Sequence, residues 1–201
     1  EYSHLYMAAS GQLVGVICIA DPLRPEAASV LRQLHKLGIR NAVMMTGDSD
    51  RTAAAIAKQV GVNQYFAEVL PEDKANFVQQ AKAEGHTVVM IGDGINDTPA
   101  LSAASVGVSL SDGADLAKEV ASVVLLGSDL THLPLALELG RRTYARIKTN
   151  FRTTIGLNTA YLVGGLAGLI MPATGAVLHN ATTLGVAWNA QRAKLPGDTS
   201  D

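Results

Sequence analysis

Two carboxylates and an amide crowd into the stretch VVMIGDGINDTPAL, residues 88–101. Asp93 stands between Gly92 and Gly94, Asn96 follows, and Asp97 comes four positions after Asp93. Carboxylate and amide oxygens are hard ligands. Mg2+ takes one or two carboxylates and shares the rest of its shell with water and phosphate. The apolar residues ahead of Gly92 predict a buried strand, and Pro99 predicts the start of a helix. The loop between them would aim Asp93 and Asp97, with Asn96 between, at one point. Gly92 and Gly94 are expected to permit close backbone approach and positive φ. A bare GDG is usually a turn that caps a helix; the whole string behind an apolar strand is far more specific.

A second polar cluster is Thr46, Gly47 and Asp48, after the run AVMM. A hydroxyl beside exposed backbone N–H groups at a helix N-terminus suits a phosphate. The same residues also suit an ordinary helix start, with Asp48 or Ser49 as the cap. Lys74 lies in PEDK, at another helix start. A lysine there is normally solvated, but near a phosphate and Mg2+ it would neutralise developing charge.

The elements that must position these residues alternate strand and helix. HLYMAA and QLVGVICIA read as strands, RPEAASVLRQLHKLG as a helix, IRNAVMMTG as a strand and DSDRTAAAIAKQVG as a helix. QYFAEV, HTVVMIGDG, SVGVSL and ASVVLL read as further strands, separated by PEDKANFVQQAKAEG, INDTPALSAA and a short helix near residues 114–118. Continuous apolar strands that alternate with helices predict a parallel sheet covered on both faces, a doubly wound α/β fold. Ligands bind at the carboxyl ends of such strands. Asp21, the Thr46 cluster and Asp93 all fall there.

With 201 residues the chain can hold one domain with a real core, or a smaller domain plus an appendage. Lys+Arg is 16 against 18 Asp+Glu, and aromatics are 4%, so neither charge nor stacking surfaces point to nucleic acid. The lone cysteine, Cys18, excludes an internal disulfide and a CxxC metal site, and its apolar run makes it a core residue by expectation. The opening EYSHLYMAASG lacks the basic start and apolar stretch of a secretory signal. It begins in mid-pattern, and the chain is expected to be a piece of something longer.

The second half is different material. A long helix, HLPLALELGRRTYARIKTNFRTT, carries Arg141, Arg142, Arg146, Lys148 and Arg152. IGLNTAYLVGGLAGLIM, a break at PATG, and AVLHNATTLGVAWNA follow. Residues 153–190 contain no Asp, Glu, Lys or Arg. Each apolar segment is about 17 residues, near the lower limit for a membrane helix. Basic residues precede the first and follow the second (Arg192, Lys194), while PATG has none. By the positive-inside rule both ends would face the cytoplasm and the turn would face outward. Gly164, Gly165 and Gly168 would let neighbouring helices pack closely. The alternative is a buried helical hairpin of a soluble protein.

In this order, MMTGD, LPEDK and MIGDGINDTPAL, preceded by DPLRPEA, resemble the phosphorylation domain of P-type ATPases, within the haloacid dehalogenase-like superfamily. With its closing hairpin the chain resembles the heavy-metal-transporting subgroup. The resemblance implies an incomplete Rossmann-like parallel sheet followed by an α-helical transmembrane hairpin. It implies that Thr46 and Gly47, with Asp48, hold a phosphoryl group that Lys74 also contacts. Asp93 would bind Mg2+, supported by Asn96 and Asp97, in a loop shaped by Gly92 and Gly94. ATP would be bound by domains absent from this chain. The family's nucleophile lies in a DKTGT string that does not occur here; Asp21 lacks the Lys-Thr-Gly-Thr sequel. The nucleotide-binding insertion is also missing, apart from its last strands, so this chain alone is expected not to hydrolyse ATP. On this reading residues 1–20 end the insertion and return to the domain, 21–140 belong to the phosphorylation domain, 141–191 form two membrane helices, and 192–201 are a disordered tail.

The resemblance also implies cargo. Polar residues of the last helices help bind the ion in this subgroup, and intramembrane polar residues are functional candidates. Asn158, His179 and Thr183 are the tentative ligands, with Tyr161, Asn180 and Thr182 nearby. Copper pumps tend to carry a Tyr-Asn pair and a Met; here Leu157 precedes Asn158 and His179 stands near the Met position. Imidazole with oxygens suits Zn2+, Co2+, Mn2+ or Fe2+ better than Cu(I). The implied partners are a transition-metal ion, membrane lipid and the remaining domains of the same pump, with no nucleic acid. The implied location is a multi-pass membrane protein whose phosphorylation domain is cytoplasmic. Two other readings stay open: a membrane-anchored phosphatase of the same superfamily, and a non-catalytic fragment that regulates or assembles with a separate protein.

Overall fold

The computed structural model describes residues 3–19 and 22–191. Asp21, Arg192, Lys194 and the tail expected at 192–201 lie outside the described residues. The chain forms two compact units, Glu1–Pro134 and Leu135–Asp201.

In the first unit, β1 (Ser3–Ala9) and β2 (Gln12–Ile19) make an antiparallel hairpin. Its two-residue turn places Ser10 at φ 51° and Gly11 at φ 78°. Positive φ at both positions matches the right-handed twist of the flanking strands. Among the described residues each strand pairs only with the other, and Leu5, Tyr6, Val14 and Ile17 are exposed. Cys18 is exposed as well. The expectation that its apolar run buries it is thereby corrected: hydrophobicity marks a strand but does not supply the layer that covers it.

Helix α1 (Ala27–Lys36) leads to β3 (Val43–Met45). Next come α2 (Asp50–Val60), closed by left-handed Gly61 at φ 84°, and β4 (Gln64–Phe66), which pairs in parallel with β3. Helix α3 (Pro71–Ala83) starts with proline at its first position, where the missing N–H costs nothing. Then follow β5 (Val89–Ile91), a 3-10 turn (Ile95–Asp97), α4 (Thr98–Ala103), β6 (Val106–Leu110), α5 (Asp115–Val120) and β7 (Val123–Leu125). The last three strands pair in parallel in the order β5-β6-β7.

A helical crossover thus joins each parallel pair, as parallel pairing demands. The α/β expectation holds, but the sheet is in two pieces, β3-β4 and β5-β6-β7. β3 and β5 each keep one edge without a partner strand among the described residues. Val43, Val89 and Ile91 on those strands are accordingly part-exposed. The core gathers around Val78 of α3, Leu101 and Ala100 of α4, Val108 and Leu110 of β6, and Ala117 of α5, all buried. Gly107 lets α4 press onto β6: a Cβ there would lie 2.6 Å from the Leu101 carbonyl oxygen.

The long helix α6 (His132–Leu166) starts after Asp129, whose carboxylate accepts the Thr131 backbone N–H at 2.5 Å. A bond from the Thr131 hydroxyl, together with that backbone bond, holds the Asp129 carboxyl below its ordinary value. Helix α7 (Pro172–Gln191) returns along α6. Polar pairs join them: Arg146 to the Asn189 carbonyl at 2.8 Å, Asn150 to Asn189 at 2.6 Å, and Tyr161 to Thr182 at 3.1 Å.

Two expectations change here. The turn lies at residues 167–171, not at PATG, because Gly168 takes φ 73° and Pro172 opens α7. Gly164 has no side chain where Ile170 folds back; a Cβ would meet it at 2.7 Å. The second concerns the membrane hairpin. A helical hairpin forms, but among the described residues no helix is long and apolar enough to cross a membrane. The uncharged part of α6 is only residues 153–166, too short to span, and in α7 His179, Asn180, Thr182 and Thr183 lower the hydropathy.

Candidate functional site

Strand β5 delivers Asp93 two residues beyond its end, and the 3-10 turn folds Asp97 back toward it. The Gly94 N–H donates to Asp97 Oδ2 at 3.3 Å. This fold-back needs glycine at position 92: a Cβ there would lie 2.6 Å from Asp97 Cβ and 2.8 Å from Asp97 Cγ. The expected positive φ does not occur at either flanking glycine; Gly94 sits at φ −90°. Space is the requirement, and conformational freedom is not.

Asp93 is held from the far side by residues that sequence reading did not single out. Gly113 packs against it so closely that a Cβ would be 2.9 Å from both Asp93 Cβ and Asp93 O. The Ala114 N–H donates to that carbonyl at 2.8 Å. Arg24 pairs through Nη2 with Asp93 Oδ2 at 3.2 Å and donates through Nη1 to the Ser128 carbonyl. The signal for Arg24 was present in DPLRPEA, but an arginine between two prolines carries no chemistry until its partner is known.

Lys74 stands on the first turn of α3 and reaches Asp97 Oδ1 at 2.8 Å, each side chain 16% exposed. The 23 positions between them are bridged because α3 packs beside the 3-10 turn and α4. Leu70 N–H donates to Asp73 Oδ2 at 3.3 Å, closing the helix start that presents Lys74. The lysine and the second carboxylate singled out from sequence are therefore direct partners.

Thr46 follows β3. Its hydroxyl donates to Asp48 Oδ2 at 2.6 Å and accepts the Asp48 N–H at 3.1 Å. Its backbone N–H donates to the Phe66 carbonyl and its carbonyl accepts the Val69 N–H, both at 3.0 Å. The loop after β3 is thus tied to the segment that leads into α3. Gly47 faces open space, with only the Val69 carbonyl within 4 Å of a hypothetical Cβ. Ser49 occupies the cap position of α2 without a side-chain cap bond, so the plain capping role is not taken up. No hydrogen bond or ion pair among the described residues joins Thr46 or Asp48 to Asp93 or Asp97. Asn96 is exposed on the 3-10 turn.

The donor chemistry fits Mg2+: Asp93 is half-exposed, so water could complete the shell of an ion there, and one or two carboxylates suffice. Groups of three or more metal-ligating His, Cys, Asp or Glu side chains are absent among the described residues, which separates this pair from a dedicated protein cage. Arg24 and Lys74 meanwhile balance the two carboxylates.

The tentative cargo ligands separate. His179 Nδ1 lies 3.1 Å from Asn158 Oδ1, so these two meet across the hairpin. Thr183 instead donates its hydroxyl to the His179 carbonyl at 3.1 Å within α7. A cavity of about 270 Å³ opens between the helices beside Asn150, Thr182 and Asn189; neither His179 nor Thr183 lines it.

Known proteins resemble this chain. The haloacid dehalogenase-like hydrolase family matches residues 3–105. A manganese-exporting P-type ATPase of Mycobacterium leprae is 43% identical over 189 residues, 94% of this chain and 26% of that protein. A zinc-exporting P-type ATPase of Mycobacterium marinum is 42% identical over the same shares. The crystal structure of a zinc-transporting PIB-type ATPase in its E2.Pi state superposes with a TM-score of 0.80 at 34% identity, covering 95% of this chain and 31% of that one. The chain spans about a quarter of the length of the relatives it matches. The strand-end clusters and the family match over residues 3–105 agree: the chain belongs to the haloacid dehalogenase-like hydrolase family.

Proposed function

We propose that the chain is part of an ATP-driven transition-metal exporter that works through an aspartyl phosphate, and that it supplies the half of the phosphoryl site opposite the nucleophile. The observation that carries this reading is the Lys74–Asp97 pair at 2.8 Å beside Asp93, at the carboxyl ends of parallel strands. Likeness to metal-exporting P-type ATPases along 94% of the chain supports it. No DKTGT string occurs, and β3 and β5 each have an open edge among the described residues, so the nucleophile is proposed to come from the remaining part of the protein.

On this reading the Thr46 hydroxyl and the Gly47 N–H donate to the phosphoryl oxygens, which requires the hydroxyl to turn from Asp48. Lys74 neutralises negative charge that develops there. Asp93 and Asp97 hold Mg2+, whose chemistry would be to offset phosphate charge and polarise a phosphoryl oxygen. Gly92 and Gly94 keep that loop tight enough for both carboxylates to serve one ion. The parent is a membrane protein with this domain in the cytoplasm and with ATP bound by other domains.

In the full-length protein, Thr46→Ala is expected to lower the level of phosphoenzyme formed from radiolabelled ATP by about 10²-fold, the usual loss for one preorganised donor. An unchanged level would remove Thr46 from the site.

Cargo is proposed to contact His179 and Asn158, which already meet across the hairpin. Imidazole with an amide oxygen favours borderline divalent ions such as Zn2+ or Mn2+ over Cu(I). For His179→Ala the expected result is a changed ranking of metals that stimulate ATPase activity. The same ranking in wild type and variant would assign the pair to packing.

A further inference from the structure

Arg24 touches Asp93 but takes no part in the chemistry described so far. Its own place is fixed without that contact. Pro25 disfavours helical backbone at residue 24, and the Arg24 carbonyl accepts the Ala27 N–H at 3.1 Å. Glu26 Oε1 accepts the Leu130 N–H at 3.3 Å, and Arg24 Nη1 donates to the Ser128 carbonyl. The turn ahead of α1 is therefore tied to the segment that follows β7. Asp93 is likewise fixed without Arg24. Gly113 crowds its Cβ, and the Ala114 N–H donates to its carbonyl at 2.8 Å. Two separately anchored groups thus meet at one contact, Nη2 to Oδ2 at 3.2 Å.

A pair that holds a fold together looks different, as Lys74 and Asp97 show. They lie 2.8 Å apart and are each 16% exposed. Arg24 and Asp93 are 37% and 49% exposed, and an ion pair so placed contributes little to stability. What the contact does change is the charge at the loop. Asp93 and Asp97 bring two negative charges, and Arg24 and Lys74 return two positive ones. A divalent cation that approaches Asp93 meets a balanced site, and it must compete with a guanidinium for Oδ2.

We propose that Arg24 is a positioning residue that acts through Asp93: it competes with Mg2+ for this carboxylate and keeps the affinity of the loop for the ion low. The long, exposed contact is weak enough for the ion to displace, and the tie to Ser128 keeps the guanidinium within reach. Mg2+ binding at this loop is then weak unless further negative charge arrives with the ion. The proposal deepens the assignment of Mg2+ to Asp93 and rests on it.

The test is titration of the 201-residue chain with MgCl2 at constant ionic strength, followed through the backbone amide NMR signals of Gly92, Gly94 and Asp97. Arg24→Gln and Arg24→Ala are expected to bind Mg2+ about 5–10-fold more tightly than wild type, the effect of removing one positive charge beside a partly solvated site. Arg24→Lys keeps the charge and should stay within about twofold of wild type, although it lacks the fork that reaches Ser128 and Asp93 together. Arg32→Gln removes an exposed cation elsewhere on α1 and should bind as wild type. Unchanged or weaker binding in Arg24→Gln overturns the proposal. So does equal tightening in Arg24→Lys, which would assign the effect to the lost Ser128 tie, or in Arg32→Gln, which would assign it to net charge. Asp93→Asn separates the proposal from the reading beneath it. A Mg2+ response retained in Asp93→Asn removes the ion from this carboxylate and overturns both. A response lost in Asp93→Asn, with no tightening in Arg24→Gln, overturns the proposal alone.

Discussion

Asp97→Asn is expected to lower Mg2+-dependent phosphoenzyme formation in the full-length protein by about 10²–10³-fold, the range for losing one preorganised electrostatic group. The substitution is nearly isosteric and keeps an oxygen for Lys74, but it removes the charge. Asp97 Oδ1 faces Lys74 and Oδ2 accepts the Gly94 N–H, so one carboxylate holds both the lysine and the turn that presents Asp93. Asp93→Asn should match it in activity, yet the two should differ in stability. Lys74 and Asp97 are 16% exposed, so loss of the charge leaves an ammonium poorly compensated, at a cost of about 2 kcal/mol, below the ~3–5 kcal/mol of a fully buried pair. Asp93 is half-exposed, and its loss should cost under about 1 kcal/mol. Thermal unfolding of the 201-residue chain checks this: Asp97→Asn melts lower than Asp93→Asn. Equal melting temperatures would show that the Lys74 pair does not stabilise the fold, and normal turnover in both variants would remove the carboxylates from the reaction.

The second large effect is expected at a residue with no side chain. Gly113→Ala should cost about 1–3 kcal/mol of stability and lower phosphoenzyme formation about 10²-fold. The new Cβ would meet Asp93 Cβ and O at 2.9 Å and Asp93 Cα at 3.1 Å. These are main-chain atoms and the first side-chain carbon, so no rotamer change relieves the contact, and Asp93 itself must shift. Gly140→Ala is the matched control. It sits in α6 with nothing within 4 Å of the added atom, so it should be stabilising by about 0.5–1 kcal/mol. Indistinguishable behaviour of the two variants would show that the loop after β6 does not set the position of Asp93.

Much of this site was legible in the sequence because its residues sit at strand ends, where an apolar run followed by glycine and a carboxylate has few readings. The pairing of Lys74 with Asp97 was anticipated only as shared proximity to phosphate, since 23 residues separate them and the packing of α3 on α4 joins them. Arg24 and Gly113 were not legible. One is a lone cation in a loop and the other a lone glycine, and each acquires meaning only from Asp93 beside it. Gly92 was singled out for two properties, of which the close approach holds and the positive φ does not, because both leave the same letter in the sequence. The hairpin shows the limit of composition: a stretch without charges looks continuous, yet the turn leaves only residues 153–166 of it to α6, and polar side chains recur through α7. That the sheet would be incomplete was legible only from the resemblance; which strands keep an open edge was not, because each strand's own sequence is complete.

The most direct measurement of the central claim is the chemical nature of the phosphoenzyme. Full-length protein would be incubated with radiolabelled ATP and a stimulating transition metal, quenched in acid, and treated with hydroxylamine. The account predicts an acid-stable label that hydroxylamine releases, as an acyl phosphate requires, and that is lost in Asp93→Asn. A label that resists hydroxylamine, or one retained at full level in Asp93→Asn, would contradict it.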